Sequence, residues 1–198
     1  MKKFPKVFIV VLNYNGKDVI KRCLTSVFKI DYPNFEVVFV DNNSTDGSLE
    51  LAKGNFSKAN FIKNEENLGY ASGNNIGIRF SLERMAEYVL VLNNDTEVEK
   101  DFLTKLVETA EEDEKIGIIS PVILDGNTKQ VWFSGGRINW MRMKTEHVQE
   151  NQGESHYESD FITGCSMLVK ASVFEKIGLF DEDFFLYWED ADFSLRSK

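Results

Sequence analysis

Val7-Phe8-Ile9-Val10-Val11-Leu12-Asn13-Tyr14-Asn15-Gly16 is the stretch that decides the fold. Val7 to Leu12 is apolar without alternation, the pattern of a strand covered on both faces. It breaks on polar residues, and Val19, Ile20, Cys23, Leu24 and Val27 then recur at helical spacing. The same pattern returns in Phe35 to Val40, which runs into Asp41-Asn42-Asn43-Ser44-Thr45-Asp46-Gly47-Ser48 and a short helix through Leu49, Leu51 and Ala52. A third strand is expected around Ala59 to Ile62. Asn67-Leu68-Gly69-Tyr70-Ala71-Ser72-Gly73-Asn74-Asn75 opens a helix through Ile76, Ile78, Phe80 and Leu82, and Tyr88 to Leu92 is a fourth buried strand.

Alternating strands and helices predict an α/β fold, a Rossmann-like, mostly parallel sheet with helices on both faces. In such sheets ligands bind beyond the carboxyl ends of the strands, where strand order reverses. Asn13, Asp41 and Asn93 to Asp95 each follow the last apolar residue of a strand, so they converge on one candidate crevice. After Asp113 the texture changes. Gly117 to Ile119 reads as a further strand, while Gln130 to Ile138 and Thr145 to Val148 read as short irregular strands around Gly135-Gly136. Glu150 to Ser159 is a polar loop. These pieces predict a small antiparallel appendage, with Trp132, Phe133, Trp140 and Met141 as ordinary core or as a wall for an acceptor. Phe161 to Val169 resumes buried character, Ala171 to Ile177 is a short helix, and Trp188 to Arg196 begins another in which the chain stops, so a truncated piece of a longer protein is expected.

With 198 residues, 42% apolar and 28% charged, the chain has the composition of one globular domain. A domain this size buries roughly 70% of the surface of its unfolded chain and folds without disulfides or a structural metal. Cys23 and Cys165, far apart in sequence, read as small apolar residues in a reducing compartment. The apolar run at Val7 to Leu12 is too short for a signal-peptide core or a membrane span. A cytoplasmic location follows as the expectation, with peripheral contact at the inner face of the cell membrane left open. Lys and Arg total 23 against 32 Asp and Glu, a net charge of -9, so the basic footprint of a nucleic-acid binder is missing. An anionic small substrate then requires a cation or exposed backbone N–H groups.

Three acidic positions carry candidate chemistry. Asp41 at a crevice mouth can accept the imide N3–H of uracil or thymine, or its segment is simply a turn and helix cap, the role expected of Asp46 and Ser48. Asp95, after Asn93 and Asn94, can share Mg²⁺ or Mn²⁺ with substrate phosphates, or cap the helix expected from about Lys100. Glu189, Asp190 and Asp192 fall in the first turn of a helix, where acids favour the macrodipole. The aromatic run Phe184 to Trp188 beside them would raise a carboxylate pKa and make a better general base. His147 and His156 read as surface residues. No Gly-x-Ser-x-Gly elbow, phosphate-binding loop or His-Glu-x-x-His occurs, and Gly69-x3-Gly73-x3-Gly77 lacks dinucleotide-binding spacing.

Taken together, Val11 to Gly16, Val40 to Ser48, Asn67 to Asn75, Leu92-Asn93-Asn94-Asp95, Thr163-Gly164 and Glu189-Asp190-x-Asp192 resemble the family 2 glycosyltransferases of GT-A fold, in order and spacing across nearly the whole chain. The resemblance implies one domain over residues 1–198, with a nucleotide-sugar-binding half at 1–113 and a carboxyl-terminally incomplete acceptor-binding half at 114–198. It implies inverting transfer from a nucleoside diphosphate sugar to an acceptor hydroxyl, in cell-surface glycan or polysaccharide synthesis. Carried over, Leu12, Asn13, Tyr14, Asn15 and Asp41 would hold base and ribose; Asn67, Gly69 and Asn75 would line the donor pocket. Asn93-Asn94-Asp95 matches the family's Asp-x-Asp signature, with Asp95 as metal ligand and Asn94 near the ribose, but Asn93 replaces the first acid. Asp190 matches the catalytic base, and Gly164, Trp188 and Glu189 fall on the acceptor side. The cofactor implied is Mg²⁺ or Mn²⁺, and the acceptor is a glycan or a lipid-linked glycan. The stretch Asn67 to Asn75 and Trp132-x-x-Gly135-Gly136 look most like rhamnosyltransferase-type members with a deoxythymidine diphosphate donor; UDP sugars remain alternatives. A catalytically inactive homologue that binds sugar nucleotide, and a nucleotidyltransferase, are the competing functions. The latter should carry a Gly-rich, basic loop after the first strand, where this chain offers only Lys17.

Overall fold

The computed structural model describes residues 4–142, 144–150, 153 and 156–198. Its first half follows the strand and helix pattern: β1 (Val7–Asn13), α1 (Lys17–Val27), β2 (Phe35–Asp41), α2 (Ser48–Asn55), β3 (Asn60–Lys63), α3 (Gly69–Leu82), β4 (Tyr88–Asn93) and α4 (Phe102–Glu112). Successive strand residues point to opposite faces, so an unbroken apolar run feeds two cores at once. Val7, Ile9 and Val11 pack with Ile20, Leu24 and Leu103 on one face; Phe8 and Val10 pack with Ile78, Phe174 and Phe193 on the other. All are fully or almost fully buried, and burying such side chains contributes about 1.5–3 kcal/mol each.

The later elements are β5 (Ile118–Ile119), β6 (Ile123–Leu124), β7 (Val131–Phe133), β8 (Gly135–Asn139), β9 (Lys144–Val148), β10 (Ser166–Lys170), α5 (Ala171–Ile177) and α6 (Glu189–Arg196). The main sheet has the order β3-β2-β1-β4-β10-β5, while β6-β7 and β8-β9 form separate antiparallel pairs. The appendage expected from sequence is thus limited to the two pairs. β5 and β10 belong to the main sheet, so residues 114–198 do not separate cleanly from residues 1–113. Residues 151, 152, 154 and 155 of the polar loop lie outside the described residues.

Two topological facts place the site. The chain builds outward from β1 through β2 and β3 and then returns to the other side of β1, so strand order reverses between β1 and β4. β10 runs antiparallel to β4, with Ser166 opposite Leu92. Because its direction is reversed, its beginning lies at the carboxyl ends of the parallel strands, and the Asn93 N–H donates to the Cys165 carbonyl (3.0 Å). Among the described residues no helix is long and apolar enough to cross a membrane.

Candidate active site

The side expected from sequence to hold the donor is built from strand ends tied by buried side chains. β1 and β2 stay in register to their last residues, which sets Asn13 against Asp41. The Asn13 amide donates to Asp41 Oδ1 (3.0 Å) and Ser48 Oγ (2.9 Å), and its oxygen accepts from Asn94 Nδ2 (2.9 Å). The Ser44 N–H donates to Asp41 Oδ2 (2.9 Å). Asn13 and Asp41 are fully buried, so orphaning either partner would cost about 1–3 kcal/mol. One polar cluster therefore fixes the ends of β1, β2 and β4 as a single surface. Asp41 keeps acceptor capacity in reserve but has no solvent-exposed surface. Direct contact with a pyrimidine imide, the role expected from sequence, requires the turn at residues 42–45 to shift. Asp46 accepts from the backbone N–H groups of Lys17 (2.8 Å) and Ser48 (2.9 Å), the capping role expected of it.

Above this floor Tyr14 is half exposed and Asn15 is exposed. Asn15 adopts φ 50 and accepts from the Thr45 N–H (2.9 Å), which locks the two crevice turns together. Leu12 is half-buried against the core beneath α3. Asn67 Oδ1 accepts from the Gly69 N–H (3.0 Å) and from Asn42 Nδ2 (3.1 Å), shaping the entry to α3. Gly69 has φ +77, and a Cβ there would run into the Phe185 backbone and ring. Asn75 corrects the sequence reading. It is fully buried, its amide donates to the Phe180 carbonyl (2.9 Å) and Glu182 Oε1 (3.0 Å), and its oxygen accepts from the Phe180 N–H (3.1 Å). Its polar atoms are spent on pinning the segment before α6, so it does not line a donor pocket.

On the side expected from sequence to face the acceptor, Asp190 is held by two backbone donors. The Gly164 N–H donates to Asp190 Oδ2 (3.0 Å) and the Ala191 N–H to Oδ1 (2.7 Å). The Gly164 carbonyl accepts from the Tyr70 hydroxyl (2.7 Å), and Asn93 Oδ1 lies 3.2 Å from the same hydroxyl oxygen. A continuous polar path thus runs from Asp190 to the strand end that carries Asp95. Tyr70 is half-buried, and desolvation of its hydroxyl, with the charges of Glu189 and Asp190 nearby, raises its pKa well above the usual phenol value, so it remains a donor. Gly164 is buried too, and a Cβ on it would meet the Tyr70 hydroxyl. Its N–H holds Asp190 in place.

Glu189 is also turned inward. It is 5% exposed, Oε2 has no hydrogen-bond partner among the described residues, and burial, with the Asp190 charge added, pushes its carboxyl up to about 7. Sequence reasoning set both residues beside an aromatic wall; the structure buries Glu189 and leaves Asp190 half-buried. Of the other acceptor-side residues, Trp188 is half exposed and follows Tyr187, both with left-handed φ of 75 and 72. Asp192 is taken up by an ion pair with Arg196 (2.8 Å). Of the aromatic group in the second half, Phe133 is fully buried, whereas Trp132, Trp140 and Met141 are exposed. His147 and His156 are exposed.

Asp95 is exposed and its carboxylate makes no hydrogen bond or ion pair among the described residues. The described residues also hold no group of three or more His, Cys, Asp or Glu that could bind a metal ion. Mg²⁺ and Mn²⁺ accept one or two carboxylates when phosphates and waters complete the shell, so this donor set fits a cation that arrives with a diphosphate and does not fit a permanently held ion. Cys23 and Cys165 are brought to the same strand end, with Cys23 Sγ 3.6 Å from the Asn93 carbonyl and Cys165 Sγ 3.4 Å from Thr96 Oγ1. Both thiols are raised by burial, Cys23 to about 12, and are therefore unreactive at neutral pH.

The residues that sequence reasoning missed are Tyr70 as the bridge and Ser194, whose hydroxyl donates to the Asp190 carbonyl (2.7 Å) and accepts from the Ile162 N–H (3.0 Å). No local signal marks Tyr70, whose partners lie far along the chain, and Ser194 bonds within its own helix to Asp190 but reaches Ile162 only through the fold.

A mostly parallel sheet with its strand order reversed at β1 and β4, a free carboxylate after β4 and Asp190 tied to that strand end through Gly164 and Tyr70, is an α/β arrangement of GT-A type. Solved structures share that fold: a mannosyltransferase from Pyrobaculum calidifontis, determined with GDP-Man and Mn²⁺, superposes with TM-score 0.71 at 21% identity, over 96% of this chain and 51% of that one. The model of the family described as Glycosyl transferase family 2 matches residues 8–178, and the chain belongs to that family. It is similar to the low-salt glycan biosynthesis hexosyltransferase Agl10 of Haloferax volcanii, 32% identical over 194 residues, and to the dTDP-rhamnosyl transferase RfbF of Shigella flexneri, 29% identical over 191 residues. Each alignment covers 96% of this chain but only 61% and 62% of those relatives.

Proposed function

We propose that this chain carries the catalytic site of an inverting glycosyltransferase, which moves a sugar from a nucleoside diphosphate sugar to an acceptor hydroxyl during glycan synthesis. The observation that carries the reading is the path Asp190–Gly164–Tyr70–Asn93, which ties a half-buried carboxylate on α6 to the strand end bearing Asp95. In one in-line displacement the acceptor oxygen bonds to the anomeric carbon as the bond to the diphosphate oxygen breaks. Asp190 takes the acceptor proton, and the nucleoside diphosphate leaves. Backbone N–H donors fix both Asp190 oxygens, so the carboxylate is held in place before the acceptor arrives. Asp95, with the donor diphosphate, would hold Mg²⁺ or Mn²⁺. When bound, that ion neutralises charge on the departing diphosphate. Tyr14, Asn15 and Asn94 form the base and ribose side, with Asn13 and Asp41 supporting them from below.

The likeness to a rhamnosyl transferase named for a dTDP donor favours that donor over UDP sugars. A glycan or lipid-linked glycan is the acceptor class, and a cytoplasmic site of action is the corresponding expectation. The inactive-homologue reading draws on Asn93, whose amide oxygen sits by Tyr70 where the family signature has an acid. Calorimetric titration with dTDP and UDP, with and without Mn²⁺, tests the donor side: metal-enhanced binding of one nucleotide is expected, and no binding of either under any metal condition would overturn the reading. A product mass measurement with matched donor and acceptor separates an active enzyme from a binding-only homologue.

A further inference from the structure

The tip of the β8–β9 hairpin is the most exposed apolar element outside the site. Met141 is 97% exposed and Trp140 61% exposed, adjacent in sequence and together at the turn. The Arg142 N–H donates to Asn139 Oδ1 (3.1 Å) and to the Asn139 carbonyl (3.2 Å), so residues 139–142 form a turn. Such side chains gain nothing from facing water.

The charge around them is equally specific. In a chain of net charge -9, residues 137–145 hold Arg137, Arg142 and Lys144 and no acid. Arg137 faces Glu146 in register and lies near Asp160. Arg142 and Lys144 are exposed and make no ion pair among the described residues. The hairpin base is anchored to the acceptor side: Ile138 packs against Phe133, Phe161 and Ala191, the residue after Asp190.

We propose that this hairpin seats the protein on an anionic membrane surface, with Trp140 and Met141 entering the interface and Arg142 and Lys144 meeting lipid phosphates. Tryptophan flanked by cations is the composition that favours a headgroup boundary, and each cation there adds attraction that salt screens. A second copy of the chain is a poorer occupant, because a twofold contact through this tip would set Arg142 and Lys144 against themselves. The arrangement deepens the function proposed above. A hairpin anchored beside Asp190 and resting on lipid would deliver a lipid-linked acceptor to the base.

Flotation of the whole chain with vesicles, without nucleotide or acceptor, tests the hairpin separately from the transfer reading. Binding is expected to phosphatidylcholine vesicles containing phosphatidylglycerol, to weaken with added salt, and to be much weaker on phosphatidylcholine alone. Arg142→Glu with Lys144→Glu should lower the partition by about tenfold or more. Trp140→Ser with Met141→Ser should lower it by about tenfold. Both variants should keep wild-type circular dichroism and nucleotide affinity, since neither touches the crevice. Failure of the wild-type chain to float, equal binding to neutral vesicles, or variants that float as well as wild type would overturn the proposal. So would a concentration-dependent dimer that dissolves in the Trp140→Ser variant, which would assign the tip to self-association.

Discussion

The helix-covered main sheet and the outer pairs β6 to β9 are packed differently. In the first region strands lie between two helix layers, and Val7 to Val11, Val38 to Val40 and Val89 to Leu92 are almost completely inaccessible. In the second, β6 to β9 form two-stranded pairs over a small cluster centred on Phe133 and Phe161, with Trp132, Trp140 and Met141 left outside. On the proposed function, the contrast sets a rigid floor for the donor beside a more adaptable face for the acceptor. Site groups on a doubly covered sheet are held where its strands end, whereas those on exposed pairs and loops can follow a varied acceptor.

The largest expected effect lies where the two regions meet. Asp190→Asn should cut sugar transfer by roughly 10²–10⁴ while nucleotide affinity stays unchanged, measured by initial rates and calorimetry. Transfer at the wild-type rate would move the base elsewhere and dissolve the link between the regions. Phe39→Ala should cost about 3–5 kcal/mol in urea unfolding, because the site lies inside a sheet that cannot collapse around the cavity. Phe133→Ala, in the small cluster, should cost about 2–3 kcal/mol and leave nucleotide affinity intact. If the two variants cost the same and both lose nucleotide, the regions are not energetically distinct.

Glu189 gives the comparison a pH axis. Its carboxyl lies near 7 when folded against an ordinary 4.5, so the folded state binds the extra proton between those values. The sign follows from linkage: its contribution to stability is whole below the unfolded value and is lost as pH rises through the folded one. Glu189→Gln should therefore match wild type near about pH 4 and exceed it by about 2–3 kcal/mol near about pH 8. Parallel stability profiles for the two proteins would show that Glu189 is solvated. The smallest effect is expected at Asp95, where Asp95→Ala should cost about tenfold in metal-dependent nucleotide affinity and nothing in its absence.

Much of the first region was legible from order alone. Unbroken apolar runs gave β1, β2 and β4 to within a residue, and the predicted helix at Ala171 to Ile177 has the same bounds in the structure. The two-residue strands were harder. β6 carries no periodicity, and β10 reads as buried without revealing that it runs antiparallel inside the main sheet. Within the site, Asn13, Asp41 and Asn94 could be expected to meet because each follows a strand. The partners of Asn75 and Gly164 and the burial of Glu189 could not be read, since sequence position does not tell whether a polar group faces solvent or a distant backbone amide.

The amino-acid order by itself determined the alternation of strands and helices, the crevice end of the sheet and the acids available to it, because periodicity and strand-ending polar residues are local properties. Tertiary structure alone decided that β10 is inserted in reverse, that Tyr70 bridges Gly164 to the end of β4, and that Glu189 is buried while Asp190 is presented. The physical reason is that hydrogen bonding and desolvation depend on which distant groups come within about 3 Å, a distance that only the folded chain sets.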